Sequence, residues 1–139
     1  MSPDPVTPNL LLVEDNVGYS AYFSKELAGG LRAFRVTHVE TLAEAIASIG
    51  AGSIDVVLLD LSLPDSDGIA TLHRIQAASG EVPIVILSGA SNPALAAEAV
   101  QSGAQDYLVK SEITAPVVER VARYAIDRRA FEVRRRQAE

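Results

Sequence analysis

Four short apolar runs each deliver a polar side chain to their carboxyl end. Leu10-Leu11-Leu12-Val13 runs into Glu14-Asp15, Val56-Val57-Leu58-Leu59 into Asp60, Ile84-Val85-Ile86-Leu87 into Ser88, and Tyr107-Leu108-Val109 into Lys110. Three carboxylates, a hydroxyl and an ammonium suit a divalent cation and a phosphoryl group. Carboxylates hold Mg²⁺ while leaving positions for water and phosphate oxygens. A carboxylate can attack phosphorus, and an ammonium can neutralise the charge that builds on phosphoryl oxygens. Two carboxylates 4 Å apart repel by about 1 kcal/mol in water and by several-fold more near a protein surface. Apposing them without a cation would raise at least one pKa, so the set implies a metal. Each residue also has a plainer reading. Glu14-Asp15 suits the first turn of a helix, Asp60 a turn, Ser88 a loop, and Lys110 a solvated surface, although the chain has only two lysines. Joint order and placement carry the specific reading.

The elements that must position these groups follow from the same pattern. Continuous apolar runs are the mark of buried parallel strands, and open parallel sheets bind ligands at the carboxyl ends of their strands. Strands are expected at about 9–14, 34–39, 55–59, from Pro83 onward, and at 106–109, alternating with amphipathic stretches as in a βα array. The segment 34–39 alternates Phe34, Val36 and His38 with Arg35, Thr37 and Val39, which reads as an edge strand. The first helix is expected at 16–28, closed by Gly29-Gly30. Thr41 with Glu44 forms a capping box for the second. The third starts near Asp67, placed to cap it, and continues with Ile69, Leu72 and Ile75. Asn92-Pro93 opens the fourth as N-cap and first-turn proline, and Gly103 ends it. Thr114 caps the last, with Pro116 in its first turn. Right-handed crossovers make the sheet parallel and three-layered.

Size and charge narrow the class. The chain has 139 residues and no cysteine, which excludes thiolate metal sites and cysteine nucleophiles and fits a reducing compartment. The apolar runs fall far short of the about 20 residues of a membrane span. Residues 1–8 read as a disordered, proline-rich lead rather than a signal peptide. The expected compartment is the cytosol. Residues 1–112 hold 5 basic and 14 acidic groups, whereas residues 113–139 hold 7 and 4. The acidic body argues against direct nucleic-acid binding.

The order Glu14-Asp15, Asp60, Ser88, Lys110, together with Leu63-Pro64-Asp65-Ser66-Asp67-Gly68 and Gly103-Ala104-Gln105-Asp106-Tyr107-Leu108, resembles the receiver domain of bacterial two-component response regulators, the CheY-like superfamily. The resemblance covers residues 9–127. It implies a flavodoxin-like (βα)5 fold, a doubly wound parallel five-stranded α/β sheet of order 2-1-3-4-5. It also implies phosphoryl transfer to Asp60 from a histidine kinase or phosphotransfer protein, with Mg²⁺ as cofactor. By the same resemblance Asp15 is a direct metal ligand, Glu14 a water-mediated one, and Ser62 a donor of its backbone carbonyl. Ser88 and Tyr107 form the switch pair, and Lys110 bonds the phosphoryl oxygen. One departure is clear: the family usually has proline after the lysine, and here Ser111 stands there, so a trans bond is expected.

Phosphorylation would add roughly two negative charges at Asp60, and the face made by the fourth helix, fifth strand and fifth helix is expected to carry the signal. Two other functions compete. An aspartyl-nucleophile phosphatase commonly needs a second acid two residues after the nucleophile, where this chain has Ser62. A pseudo-receiver would keep the fold and bind partners without phosphate. Residues 128–139 are expected to form a helical extension, carrying Phe131 and Val133 without a core partner, that pairs with a second copy or leads to an output domain; a frayed charged tail is the alternative. His38 and His73 lack metal-ligand spacing and read as structural or solvent-facing.

Overall fold

A computed structural model describes residues 7–16, 25, 34–89 and 92–138. Its parallel strands are β1 (Asn9–Val13), β2 (Arg35–Val39), β3 (Val56–Asp60), β6 (Ile84–Ser88) and β7 (Asp106–Val109). They lie in the order β2-β1-β3-β6-β7, the expected 2-1-3-4-5 once the strands of this sheet are counted alone. A two-residue ribbon, β4 (Ser62–Leu63) with β5 (Ser66–Asp67), sits between β3 and the next helix. The helices are α1 (Leu42–Gly50), α2 (Ile69–Ser79), α3 (Pro93–Gln101) and α4 (Ala115–Ala138). The helix expected at 16–28, with Tyr19, Tyr22 and Gly29-Gly30, falls outside the described residues apart from Asn16 and a helical Lys25.

Strand alternation divides the core in two. Leu11, Val13, Val57, Leu59 and Ile86 face Leu42, Ala45, Leu72, Ile75 and Ala99 of α1, α2 and α3. Leu10, Leu12, Leu58, Val85 and Leu87 face Val118, Ala122 and Ala125 of α4, with Phe34 beside them. Side chains of a strand alternate between faces, so a run that is apolar throughout must be covered on both. Every residue of β3 is buried, Asp60 included, whereas the edge strand β2 buries only Val39. At about 1.5–3 kcal/mol per fully buried aliphatic side chain, these two layers are what hold the strand ends in register.

Most expected caps are present. The Thr41 hydroxyl accepts from the Glu44 N–H at 3.1 Å and donates to the Glu44 carboxylate at 3.0 Å. Asn92 accepts from the Leu95 N–H, with Pro93 in the first turn. Asp67 does not cap α2. It pairs with Ser62 in the ribbon, and the residue before α2 is Gly68, at φ 72° with no side-chain cap. The Pro64-Asp65 turn folds this segment back on itself, which uses Asp67 in a strand pair. Asp65 caps a helix distant in sequence: its two oxygens accept from the Leu42 and Ala43 N–H groups at the start of α1.

Lys110–Glu112 forms a short 3₁₀ turn, and no cis peptide bond occurs among the described residues. Beyond it α4 is continuous for 24 residues, to Ala138. Its second half is tied down by charge, with Arg136 on Glu81 at 2.5 Å and Arg129 near the same carboxylate at 4.0 Å. Phe131 is exposed as expected, and Val133, half-buried, belongs to neither core cluster. It lines a groove with Ile54, Val82, Pro83, Ile126 and Ala130 at the amino ends of β3 and β6.

Candidate functional site

The sheet order places the ends of β1, β3, β6 and β7 side by side. In register, Asp60 lies opposite Leu87 and Ser88 opposite Val109, so Ser88 and Lys110 each stand one residue beyond their neighbour's pairing. Glu14 stays attached to the sheet for one residue past β1, its N–H donating to the Val39 carbonyl at 3.0 Å. The Glu14 side chain is fully buried, whereas Asp15 is exposed. The Asn16 N–H donates to Glu14 Oε1 at 2.9 Å, closing a tight turn around the carboxylate.

Lys110 joins the acidic groups. Its ammonium donates to Asp60 Oδ2 at 2.7 Å and pairs with Glu14 Oε2. The other Asp60 oxygen, Oδ1, accepts from the Ser62 N–H at 2.8 Å. Glu14, Asp15 and Asp60 each offer a carboxylate oxygen within 4.8 Å of the others. The three carboxylates and the ammonium that the strand ends were expected to carry thus lie together. Ser88 ends its strand at the same rim, and Tyr107 is half-buried on β7, packed against the cluster that holds Leu59 and Ile86. The contact Ser62 makes with Asp60 is through its N–H. His73 is exposed on α2.

The electrostatics are lopsided. Burial pushes the Glu14 carboxyl above its ordinary value, and the Lys110 and Asn16 hydrogen bonds do not fully offset it; Asp60 raises it further. Burial pulls the Lys110 ammonium down, but its bonds and charges with Asp60 and Glu14 outweigh that and hold it above the ordinary value. One cation is thus shared by two carboxylates, and Glu14 is left incompletely compensated. A divalent ion beside Asp15 would supply the missing charge, so the donor set fits a hard, oxygen-ligated cation such as Mg²⁺.

Sequence reasoning missed two groups near this site. His38, exposed and structural as expected, places Nε2 2.7 Å from the Glu14 main-chain carbonyl, a partner its sequence position does not reveal. Asp65 ties the turn after Asp60 to α1, which holds its carboxyl below the ordinary value through the Leu42 and Ala43 N–H groups. Neither had a sequence signal, because the partners are 24 and 23 residues away.

Fold and cluster together define a flavodoxin-like α/β domain with a cation-ready acidic pocket at the carboxyl ends of its strands. The family model for the response regulator receiver domain matches residues 10–122, and the chain belongs to that family. It is 36% identical over 123 residues to the swarming motility regulation protein RssB of Serratia marcescens, covering 87% of this chain and 53% of that one. It is 31% identical to the transcriptional regulatory protein PrrA of Mycobacterium tuberculosis, covering 87% and 51%. The chain thus spans about half the length of these curated relatives. Among solved structures it resembles the signal receiver domain of a LuxO repressor protein from Vibrio parahaemolyticus, with TM-score 0.78, 28% identity, and 90% and 94% of the two chains covered. It also resembles the receiver domain of a sensor histidine kinase from Pseudomonas aeruginosa that has a magnesium ion coordinated in its active-site cleft, with TM-score 0.72, 28% identity, and 86% and 98% covered.

Proposed function

We propose that this receiver domain takes a phosphoryl group onto Asp60 from the phosphohistidine of a histidine kinase or phosphotransfer protein. The observation that carries the reading is the dual hold on the Asp60 carboxylate, with Ser62 N–H on one oxygen and Lys110 Nζ on the other. An oxygen of Asp60 forms the new bond to phosphorus as the P–N bond of the phosphohistidine breaks, and the electron pair leaves on the imidazole nitrogen. The domain contributes position and charge neutralisation, the usual requirements of phosphoryl transfer. Asp15 and Asp60, with Glu14 behind them and the Ser62 carbonyl beside them, are the groups that would hold Mg²⁺, which supplies positive charge to the phosphoryl oxygens. Lys110 is released from part of its pairing with Asp60 and follows the incoming charge. Ser88 offers its hydroxyl from the neighbouring strand end.

The added charge then favours a new arrangement of Ser88 and Tyr107, and the face built from α3, β7 and α4 reports it to a partner. The chain is an acceptor rather than an enzyme acting on external substrates, because Ser62 stands where a phosphatase would need an acid. The phosphatase and pseudo-receiver alternatives are not favoured by a fully assembled acidic set around Lys110. Among the described residues no helix is long and apolar enough to cross a membrane. The cytosol is the proposed compartment, in keeping with a cysteine-free chain. Tyr124 and Phe131, both exposed on α4, are proposed as the contact for a second copy.

The test is mass measurement after treatment with acetyl phosphate and Mg²⁺. The parent should gain one alkali-labile phosphoryl group and Asp60→Asn none. Incorporation by Asp60→Asn would show that the acceptor is misassigned. Light scattering on the same samples checks the dimer, which a monomer in both states would remove.

A further inference from the structure

We propose that His38 is a positioning residue for the acidic pocket, acting through its hydrogen bond to the Glu14 main-chain carbonyl. The inference rests on the metal-binding role assigned to Glu14 and Asp15 above. Val13 and Val39 are the last paired residues of β1 and β2. Glu14 extends the pairing with its N–H on the Val39 carbonyl. There β2 turns away, because Thr41 is already the cap of α1. The imidazole of His38 reaches across this divergence and meets the Glu14 carbonyl at 2.7 Å. A carbonyl oxygen only accepts, so Nε2 carries the proton in this contact.

Glu14 is thereby gripped at its N–H by Val39, at its C=O by His38, and at its carboxylate by Asn16 and Lys110. The next residue, Asp15, is exposed, and its placement is set by the backbone of the turn that these grips define. A short aliphatic strand residue offers no donor to this carbonyl. Lysine or arginine would reach it but would bring a permanent cation beside the pocket and more side-chain freedom to lose. Histidine supplies a donor on a short, stiff side chain. The partners that orient metal-binding groups are commonly worth about 10–100-fold in metal affinity.

The experiment is calorimetric titration of the full chain with Mg²⁺, alongside the denaturant midpoint and the rate of phosphate uptake from acetyl phosphate. His38→Ala should weaken Mg²⁺ binding by about tenfold and slow phosphate uptake, while the Mg²⁺-free denaturant midpoint changes little. His38→Gln, whose amide can donate to the same carbonyl, should recover most of the affinity. His38→Phe keeps the ring without a donor and should behave like His38→Ala; it also stands in for it should the smaller side chain prevent folding. Unchanged affinity in His38→Ala, or recovered affinity in His38→Phe, overturns the proposal. So does a parent that binds no Mg²⁺. A parent that binds Mg²⁺ but takes up no phosphate removes the acceptor reading of Asp60 and leaves the affinity comparison standing.

Discussion

The two ends of the sheet handle charge by inverse arrangements. At the carboxyl ends one cation, Lys110, serves two carboxylates, with Glu14 at 0% and Lys110 at 15% side-chain exposure. At the amino ends one carboxylate, Glu81, serves two guanidiniums, and it and Arg136 are 58% and 61% exposed. The chemistry is alike and the solvent is not. Water screens the second cluster, so its pairs are worth about 0–1 kcal/mol. The first is shielded, so each partner's charge state depends strongly on the other's. Shielding makes the upper cluster costly to hold and responsive to an added anion, whereas the lower one serves to lay α4 against the body.

Breaking the shielded cluster should give the largest effect. Lys110→Met leaves Glu14 and Asp60 apposed without their cation. Stability at neutral pH should fall by about 3 kcal/mol, the cost of removing one partner from a buried pair, and urea denaturation would measure it. The loss should shrink when Mg²⁺ is added. An equal loss with and without Mg²⁺ would mean that the metal does not bind where Lys110 points.

A pH series sharpens the contrast. The Glu14 carboxyl sits above its ordinary value of 4.5 when folded. The folded state therefore holds this proton more tightly than the unfolded state. The resulting stabilisation is complete below pH 4.5 and is lost as pH rises through the raised folded value. Relative to Glu14→Gln, the metal-free parent should lose denaturant resistance across that window. A flat difference between the two would contradict the burial argument.

The smallest effect belongs to the solvated cluster. Glu81→Ala should lower global stability by less than about 1 kcal/mol. Amide exchange should nevertheless quicken in the last turns of α4, where Arg136 loses its partner. A large fall in melting temperature would show that the two ends of the sheet are more alike than their exposure suggests.

The legibility of the site in the sequence divides along the same physical line. Asp60, Ser88 and Lys110 were readable because each ends or follows a buried apolar run, and a run of that kind fixes where the chain meets solvent. The edge strand announced itself by alternation, and Thr41 and Asn92 by caps that act within a single turn of helix. What could not be read were side chains that reach across the fold. Asp65 caps α1, which lies far away in sequence, while Asp67, expected as a cap of the next helix, lies in a ribbon. The Pro64-Asp65 turn that exchanges them is a matter of backbone shape. His38 was visible only as an edge residue, since its partner is a main-chain carbonyl that carries no sequence signature.

The length of α4 has a mechanical consequence. Twenty-four residues make a rod about 36 Å long, seated by Val118, Ala122 and Ala125 near its root, and farther out by Ile126 and the screened ion pairs to Glu81. Dissolved salt weakens the ionic part of the outer attachment and leaves the apolar seat in place. Any displacement of the root would be carried along the rod to its far end, and the ionic strength of the surroundings sets how firmly the ion pairs to Glu81 oppose it.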